Sequence, residues 1–326
     1  MTQPERSDQR RRQSWWGLKR PIKRTVALPG INHAARAVTL RRRGRDAAAR
    51  LPVPMTVRQV EGRVDGLTFT MNDPAQCILA KELHWGQGKR PRPQDQFALE
   101  VFARLAQQAS RVLDIGSYTG IFSLVAAKAN PRIPVDAFEI VPSNYLAALG
   151  NVIGNDLVGR VQVHLEGVGE TGTIRMPAAT HGSALPDFWS IDDADAEDGV
   201  SVPITTLADI VARLGATPDA TENGILIKVD VEGHENALVA SSAETITAYR
   251  PTFLMEILPG ADTAPLTAIF GAPAGAAAPY RYYLITEDRL RESLALHGED
   301  DYRDWLITPL TPAHLESLGI AVAGLD

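Results

Sequence analysis

From residue 111 onward the chain alternates short apolar runs with helical patterns, and this alternation restricts the fold more than any other feature of the sequence. The runs are Val112–Ile115, Val135–Phe138, Val161–Leu165, Ile225–Val231, Thr252–Ile257, Tyr282–Ile285 and Trp305–Ile307. Helical patterns follow the first two and the fourth, at Ile121–Ala129, Asn144–Asn155 and Glu235–Tyr249. Strands separated by helices predict an α/β fold with a mostly parallel, doubly wound sheet. Upstream, Gly62–Met71 reads as strand, and Gln94–Ala106 reads as helix through Phe97, Leu99, Phe102 and Leu105. The 326 residues therefore divide into a basic, partly disordered arm (1–50), a small N-terminal region (51–108) and the α/β domain (109–326).

The net charge of −6 conceals a division within the chain. Residues 1–50 hold 14 Lys and Arg against three acids, a net +11, so the remainder carries −17. An acidic body argues against a broad nucleic-acid surface, and any anionic partner falls to the arm. There Trp15 and Trp16 stand beside Lys19, Arg20, Lys23 and Arg24, a combination suited to peripheral contact with an anionic membrane, although Pro21 interrupts a helix. A solvated arm and an RNA-binding arm are the competing readings. Cys77 is the single cysteine, which excludes an internal disulfide and a cysteine-based zinc site. No run of about 18 apolar residues exists, and the Arg10-Arg11-Arg12 cluster lacks the apolar stretch of an export signal, so a cytoplasmic location is expected. The acids Asp192, Asp193, Asp195, Glu197 and Asp198 lack the spacing of a calcium loop and read as a solvated loop. No metal is expected, because no other group of His, Asp and Glu has ligand spacing; a single carboxylate-bound magnesium is the alternative.

Residues 112–120, VLDIGSYTG, place Asp114 at the end of the first strand and Gly116 and Gly120 around a tight turn into a helix. Glycine allows such a turn and lets backbone approach a ligand closely. In open α/β sheets this loop lies at the carboxyl ends of the strands, where ligands bind. The second strand ends in Glu139, 25 residues after Asp114, where an acid can accept hydrogen bonds from both hydroxyls of an adenosine ribose. A nicotinamide site requires G-x-G-x-x-G, whereas the turn here is G-x-x-x-G. An acid beside the loop suits the ammonium of a methionine moiety better than a pyrophosphate. S-adenosylmethionine (SAM) is the expected cofactor, and a nicotinamide oxidoreductase is the lesser alternative.

Four blocks, VLDIGSYTGIFS (112–123), AFEIVPSNYLAALGNVIGN (137–155), KVDVEGHE (228–235) and RPTFLMEI (250–257), together resemble the FkbM-type methyltransferases over about half the chain. The resemblance implies a class I methyltransferase (Rossmann-like) fold with a seven-stranded doubly wound sheet, here with an N-terminal extension. It also implies SAM as methyl donor and a hydroxyl as common acceptor, on a small molecule, sugar or glycan. By that resemblance Asp114, Gly116, Ser117 and Gly120 belong to the cofactor loop, and Glu139 binds the ribose. This chain departs from the family in having Ser117-Tyr118 for Ala-Asn, Ile140 for proline and Leu207-Ala208 for Leu-Asp.

The expected chemistry lies in ILIKVDVEGHE (225–235). Strand alternation places Leu226, Lys228, Asp230 and Glu232 on one face. A central parallel strand is normally apolar on both faces, so these charges are either paired or open to a cleft. The structural reading is an ion-pair network of Lys228 with Asp230 or Glu256. The catalytic reading has Asp230 or Glu232 orienting and deprotonating the acceptor, with His234 a weaker candidate base. Upstream, Glu82, His84 and Trp85 either close over the cofactor or simply pack, and packing is preferred. His181-Gly182-Ser183 either lines the acceptor pocket or forms an ordinary turn. An inactive core behind a binding arm remains the non-enzymatic alternative.

Overall fold

The computed structural model describes residues 25–49, 51–176, 199–216, 224–271 and 279–324. Trp15 and Trp16 with their neighbouring cations, the His181–Ser183 turn and the acidic run at 192–198 lie outside the described residues. Helix α1 (Pro29–Ala49) occupies the second half of the basic arm and is kinked at Gly44. A hairpin of β1 (Gln59–Val64) and β2 (Leu67–Asn72) follows. The single strand expected over Gly62–Met71 is thus two, because Asp65 and Gly66 turn the chain with φ of 50° and 82°. Asp-Gly favours that hairpin turn. Helices α2 (Ile78–Trp85) and α3 (Pro93–Ala106) lead into the sheet.

All seven expected core strands are present: β3 (Arg111–Ile115), β4 (Val135–Glu139), β5 (Val161–Leu165), β9 (Ile225–Val229), β10 (Thr252–Glu256), β11 (Arg281–Ile285) and β13 (Asp304–Thr308). Their order is β11-β13-β10-β9-β3-β4-β5, with β13 antiparallel between β10 and β11 and the other neighbours from β10 to β5 parallel. Two short strands, β12 (Leu290–Ser293) and β14 (Val322–Ala323), extend the β11 edge, so among the described residues the sheet has nine strands rather than seven. A second small sheet joins β6 (Gly167–Val168), β7 (Gly172–Met176) and β8 (Val200–Thr205) beyond the end of β5.

Strand alternation divides the core. Val112, Leu226, Leu254 and Leu306 point to one face, where they meet α3, α4 (Ile121–Ala129) and the β1–β2 hairpin. Leu113, Ile227, Phe253 and Ile307 point to the other, toward α6 (Leu207–Arg213), α7 (Glu235–Ser241) and α9 (Ala264–Gly271). The helix expected over Glu235–Tyr249 is interrupted: Ser242 leaves helical geometry, ends α7 and starts α8 (Ala243–Tyr249). Helix α5 (Pro142–Gly154) follows β4 and begins at a proline, which suits a first turn.

Candidate active site

Two neighbouring strand ends build the site. β3 and β9 run in parallel register, with Asp114 beside Lys228 and Ile115 beside Val229. Past them, Asp230 N donates to Ile115 O (3.0 Å), and the amides of Gly116 and Ser117 both donate to Phe138 O (3.0 Å). Gly116 has a φ of 74°, and an added Cβ would lie 1.8 Å from Asp230 O. The loop can therefore lie this close to β9 only with glycine there. Gly120, at φ 81°, starts α4 against Ala148. Tyr118 also adopts a left-handed φ, 51°, a conformation asparagine accepts more readily. Its hydroxyl accepts from the Ile78 amide of α2 at 3.4 Å, a reach that an asparagine side chain lacks.

The strand ends and this loop open onto a cleft of ≈ 680 Å³, lined by Asp114, Gly116, Ser117, Glu139, Lys228, Asp230, Glu232 and His234 among others. Gly120 shapes the loop from behind and does not line it. Glu139 is buried, with one oxygen accepting from Tyr118 N and the other from Val141 N, both at 2.8 Å. Burial pushes its carboxyl up to about 7, against the amides that favour the charged form. Burial likewise raises Asp114 to about 6, against its bonds to Ser123 N and Oγ at 3.0 and 2.6 Å. Asp114 Oδ2 thus fastens α4 to β3, a structural task that the sequence reading did not assign to it. The Ser117 hydroxyl is buried with no hydrogen-bond partner among the described residues. Beyond Glu139, Ile140, Val168, Ile174 and Ile204 form an apolar wall. Glu166 stands at its edge, held by Arg213 (2.8 and 3.1 Å) and Thr205.

At the other end, Lys228 is buried with Nζ 3.7 Å from Asp230, 3.5 Å from Asp304 and 5.2 Å from the centre of the Phe122 ring. Burial alone would lower its pKa; the surrounding carboxylates of Asp230, Asp304, Glu256 and Asp114 outweigh burial and leave it raised. Glu256 is raised by burial and by the charges of Asp230 and Asp304, with Arg303 3.9 Å away. The structure brings Lys228, Asp230 and Glu256 together as expected and adds Asp304, which the sequence reading did not single out. It does not keep Glu232 on the same strand face. β9 ends at Val229, and Glu232 turns away at φ 52° in a bend closed by Glu235, whose carboxylate accepts from Val231 N and Gly233 N. Glu232 and His234 stay exposed on the cleft rim, and His234 Nδ1 lies 3.2 Å from Val231 O. Glu82 lines the cleft, bonded to Arg90 at 2.7 Å, whereas His84 and Trp85 do not. Trp85 packs on Val53 and donates to Leu51 O.

The sheet order, the antiparallel β13 and the cleft at the carboxyl ends of β3, β4 and β9 make this a class I methyltransferase (Rossmann-like) fold. Residues 114–269, just under half of the chain, match the family model described as Methyltransferase FkbM domain. A ribosomal RNA small subunit methyltransferase C of Buchnera aphidicola subsp. Cinara cedri (strain Cc) is 41% identical over 51 residues, which are 16% of this chain and 15% of that one. Among solved structures, a methyltransferase FkbM from Methylobacillus flagellatus KT is 18% identical with a TM-score of 0.38, covering 62% of this chain and 44% of its own. A SAM-dependent methyltransferase from Agrobacterium tumefaciens is 12% identical with a TM-score of 0.42, covering 78% and 71%. This chain therefore spans well under two thirds of the first two of these proteins.

SAM fits the residues present. The unpartnered Ser117 hydroxyl, the close approach at Gly116, the Glu139 carboxylate and the apolar wall suit a polar chain, a ribose and a flat base in that order along the cleft. A testable linkage follows from Glu139. Between its ordinary value of 4.5 and about 7, folded protein binds more protons than unfolded, so this group lowers the stability of the ligand-free protein as pH rises through that window. Two hydroxyl donors favour the ionised form. SAM binding near pH 6.5 is thus expected to release a proton, read as a buffer-dependent enthalpy in calorimetry. Glu139→Ala should abolish that release and weaken SAM binding at least about tenfold while the protein stays folded, since hydrogen bonds to a charged group contribute about 1.5–3 kcal/mol. Unchanged affinity in the variant would refute the ribose assignment.

Proposed function

We propose that this protein methylates a hydroxyl oxygen on a small-molecule, sugar or glycan acceptor. The observation that carries this reading is the Lys228–Asp230–Glu256–Asp304 cluster, which faces the cleft next to the cofactor loop. Bound SAM supplies an electrophilic methyl on a sulfonium, whose thioether leaves without protonation. The chain then has three tasks: to align the acceptor, to exclude water and to take the hydroxyl proton. Asp230 is the proton acceptor in this scheme. The acceptor oxygen forms its bond to the methyl carbon as the carbon–sulfur bond breaks, and the hydroxyl proton passes to the Asp230 carboxylate. Lys228 pairs with Asp230 at 3.7 Å and fixes its carboxylate beside the cleft. Burial and the charges of Asp230 and Asp304 raise Glu256, which disfavours its ionised form beside Asp230. Glu232 and His234 on the rim contact the acceptor from outside.

The cofactor side of this reading is checked first by calorimetry, in which SAM binds and NADH does not; the reverse result would support the oxidoreductase alternative. Labelled SAM incubated with host extract then identifies the acceptor. A product labelled on nitrogen or carbon would overturn the hydroxyl assignment.

A further inference from the structure

Helix α1 is held to the body by one side only. Asn32, fully buried, donates to Pro52 O at 2.6 Å. Arg36 donates to Trp85 O at 3.1 Å and stacks its guanidinium over the Trp85 ring. Among the described residues, the other side is exposed. Ile31 and Val38 are 44% and 52% exposed, and Leu28, just ahead of the helix, is 55% exposed. Residues 31, 34, 38, 41 and 42 follow helical spacing, so the two apolar side chains share a strip with Ala34, Arg41 and Arg42.

We propose that this strip docks on an anionic lipid bilayer, with Leu28, Ile31 and Val38 at the acyl boundary and Arg41 and Arg42 among the headgroups. Apolar and cationic groups on one helix side match the two layers of a bilayer interface, the first gaining from removal from water and the second from anionic lipid. The charge division of the chain adds direction. The +11 segment is drawn to the surface and the −17 remainder is repelled by it, which confines contact to the helix side. A nucleic acid would satisfy the arginines, but the strip offers it no aromatic ring for stacking and leaves the apolar residues in water. The docking also has a position: α1 rests on Trp85, the last residue of α2, and Ile78, Leu79 and Glu82 of α2 line the cleft. If the methyltransferase reading holds, the docked enzyme presents its cleft one helix away from the lipid, where a lipid-carried acceptor would arrive; the docking itself does not rest on that reading.

The test is co-sedimentation of the full chain with phosphatidylcholine vesicles, with and without phosphatidylglycerol, at low and high salt. Two variants accompany it, Ile31→Ser/Val38→Ser and Arg41→Gln/Arg42→Gln. Wild type is expected to sediment only with the phosphatidylglycerol vesicles, less at high salt, and each variant should weaken partitioning at least about tenfold. Circular dichroism confirms that both variants fold, because every substituted side chain is exposed. Absence of sedimentation, or equal sedimentation of all three proteins, would overturn the proposal. So would binding to a homopolymeric RNA that follows the arginines and ignores Ile31 and Val38, or a dimer in size-exclusion chromatography lost in both variants. SAM binding is measured on the same samples. Failure there removes the cofactor assignment and leaves the vesicle result standing.

Discussion

Gly116→Ala is expected to destabilise the protein by about 2–5 kcal/mol and to eliminate measurable SAM binding. Two costs combine. A non-glycine residue at the Gly116 φ of 74° costs about 1–2 kcal/mol, and forcing a methyl into packed structure adds about 1–3 kcal/mol. The obstructing atom is the backbone oxygen of Asp230, 1.8 Å from the added carbon, so no rotamer change relieves the clash. Relief requires the cofactor loop to move off β9, which withdraws the Ser117 and Tyr118 amides from Phe138 O and Glu139. Urea denaturation and calorimetry read the two effects. Gly120→Ala is the informative control: its new carbon meets only Ala148 at 3.5 Å, so it carries the φ cost without the backbone collision. Equal losses in the two variants would show that the close approach to Asp230 is unimportant.

Lys228→Met is expected to cost about 3–5 kcal/mol of stability at pH 7.5, the loss typical when one partner of a buried charge pair is removed. Methionine fills similar space but leaves Asp230, Asp304 and Glu256 facing one another without the buried cation among them, Arg303 reaching only Glu256 at 3.9 Å. The sign of the pH dependence follows. Without Lys228 the folded carboxyls ionise less readily than the unfolded ones, so the folded state binds more protons and the variant recovers stability as pH falls from 7.5 toward 5. Wild type keeps the Lys228 contribution up to the ordinary lysine value of 10.5 and loses it only above that, as pH rises toward the raised folded value. SAM affinity should change less than stability. A Lys228→Met protein as stable as wild type but unable to transfer methyl groups would make Lys228 a participant in the reaction rather than a neutralising charge.

The parts of this protein written in local pattern were legible in its sequence. Apolar runs marked all seven core strands, and Asp114, Gly116, Ser117 and Glu139 reach the same cleft because strand ends in a doubly wound sheet converge. Two kinds of feature escaped. One depends on backbone conformation: strand alternation carried Glu232 onto the face of Lys228, while the chain leaves β9 after Val229 and turns left-handed at Glu232 and Gly233. The Glu-Gly pair at that point was the available signal. The other depends on topology. Asp304 pairs with Lys228 because β13 inserts antiparallel beside β10, a neighbourhood that no spacing between residues 228 and 304 announces. Arg36 on Trp85 is of the same kind, joining α1 to a segment 49 residues away.

The contact between Gly116 and Asp230 also bears on how the molecule assembles. It joins two loops separated by more than a hundred residues, and β9 must enter between β3 and β10 before either loop has its neighbour. Closing so long a loop comes late in a search for native structure, after local helices and the β1–β2 hairpin have formed. The cofactor pocket is then among the last parts of the fold to exist. A ligand that recognises only the completed pocket cannot hasten the steps that precede it. It acts by holding the finished molecule closed, so its stabilisation appears in the rate of unfolding and leaves the rate of folding nearly untouched.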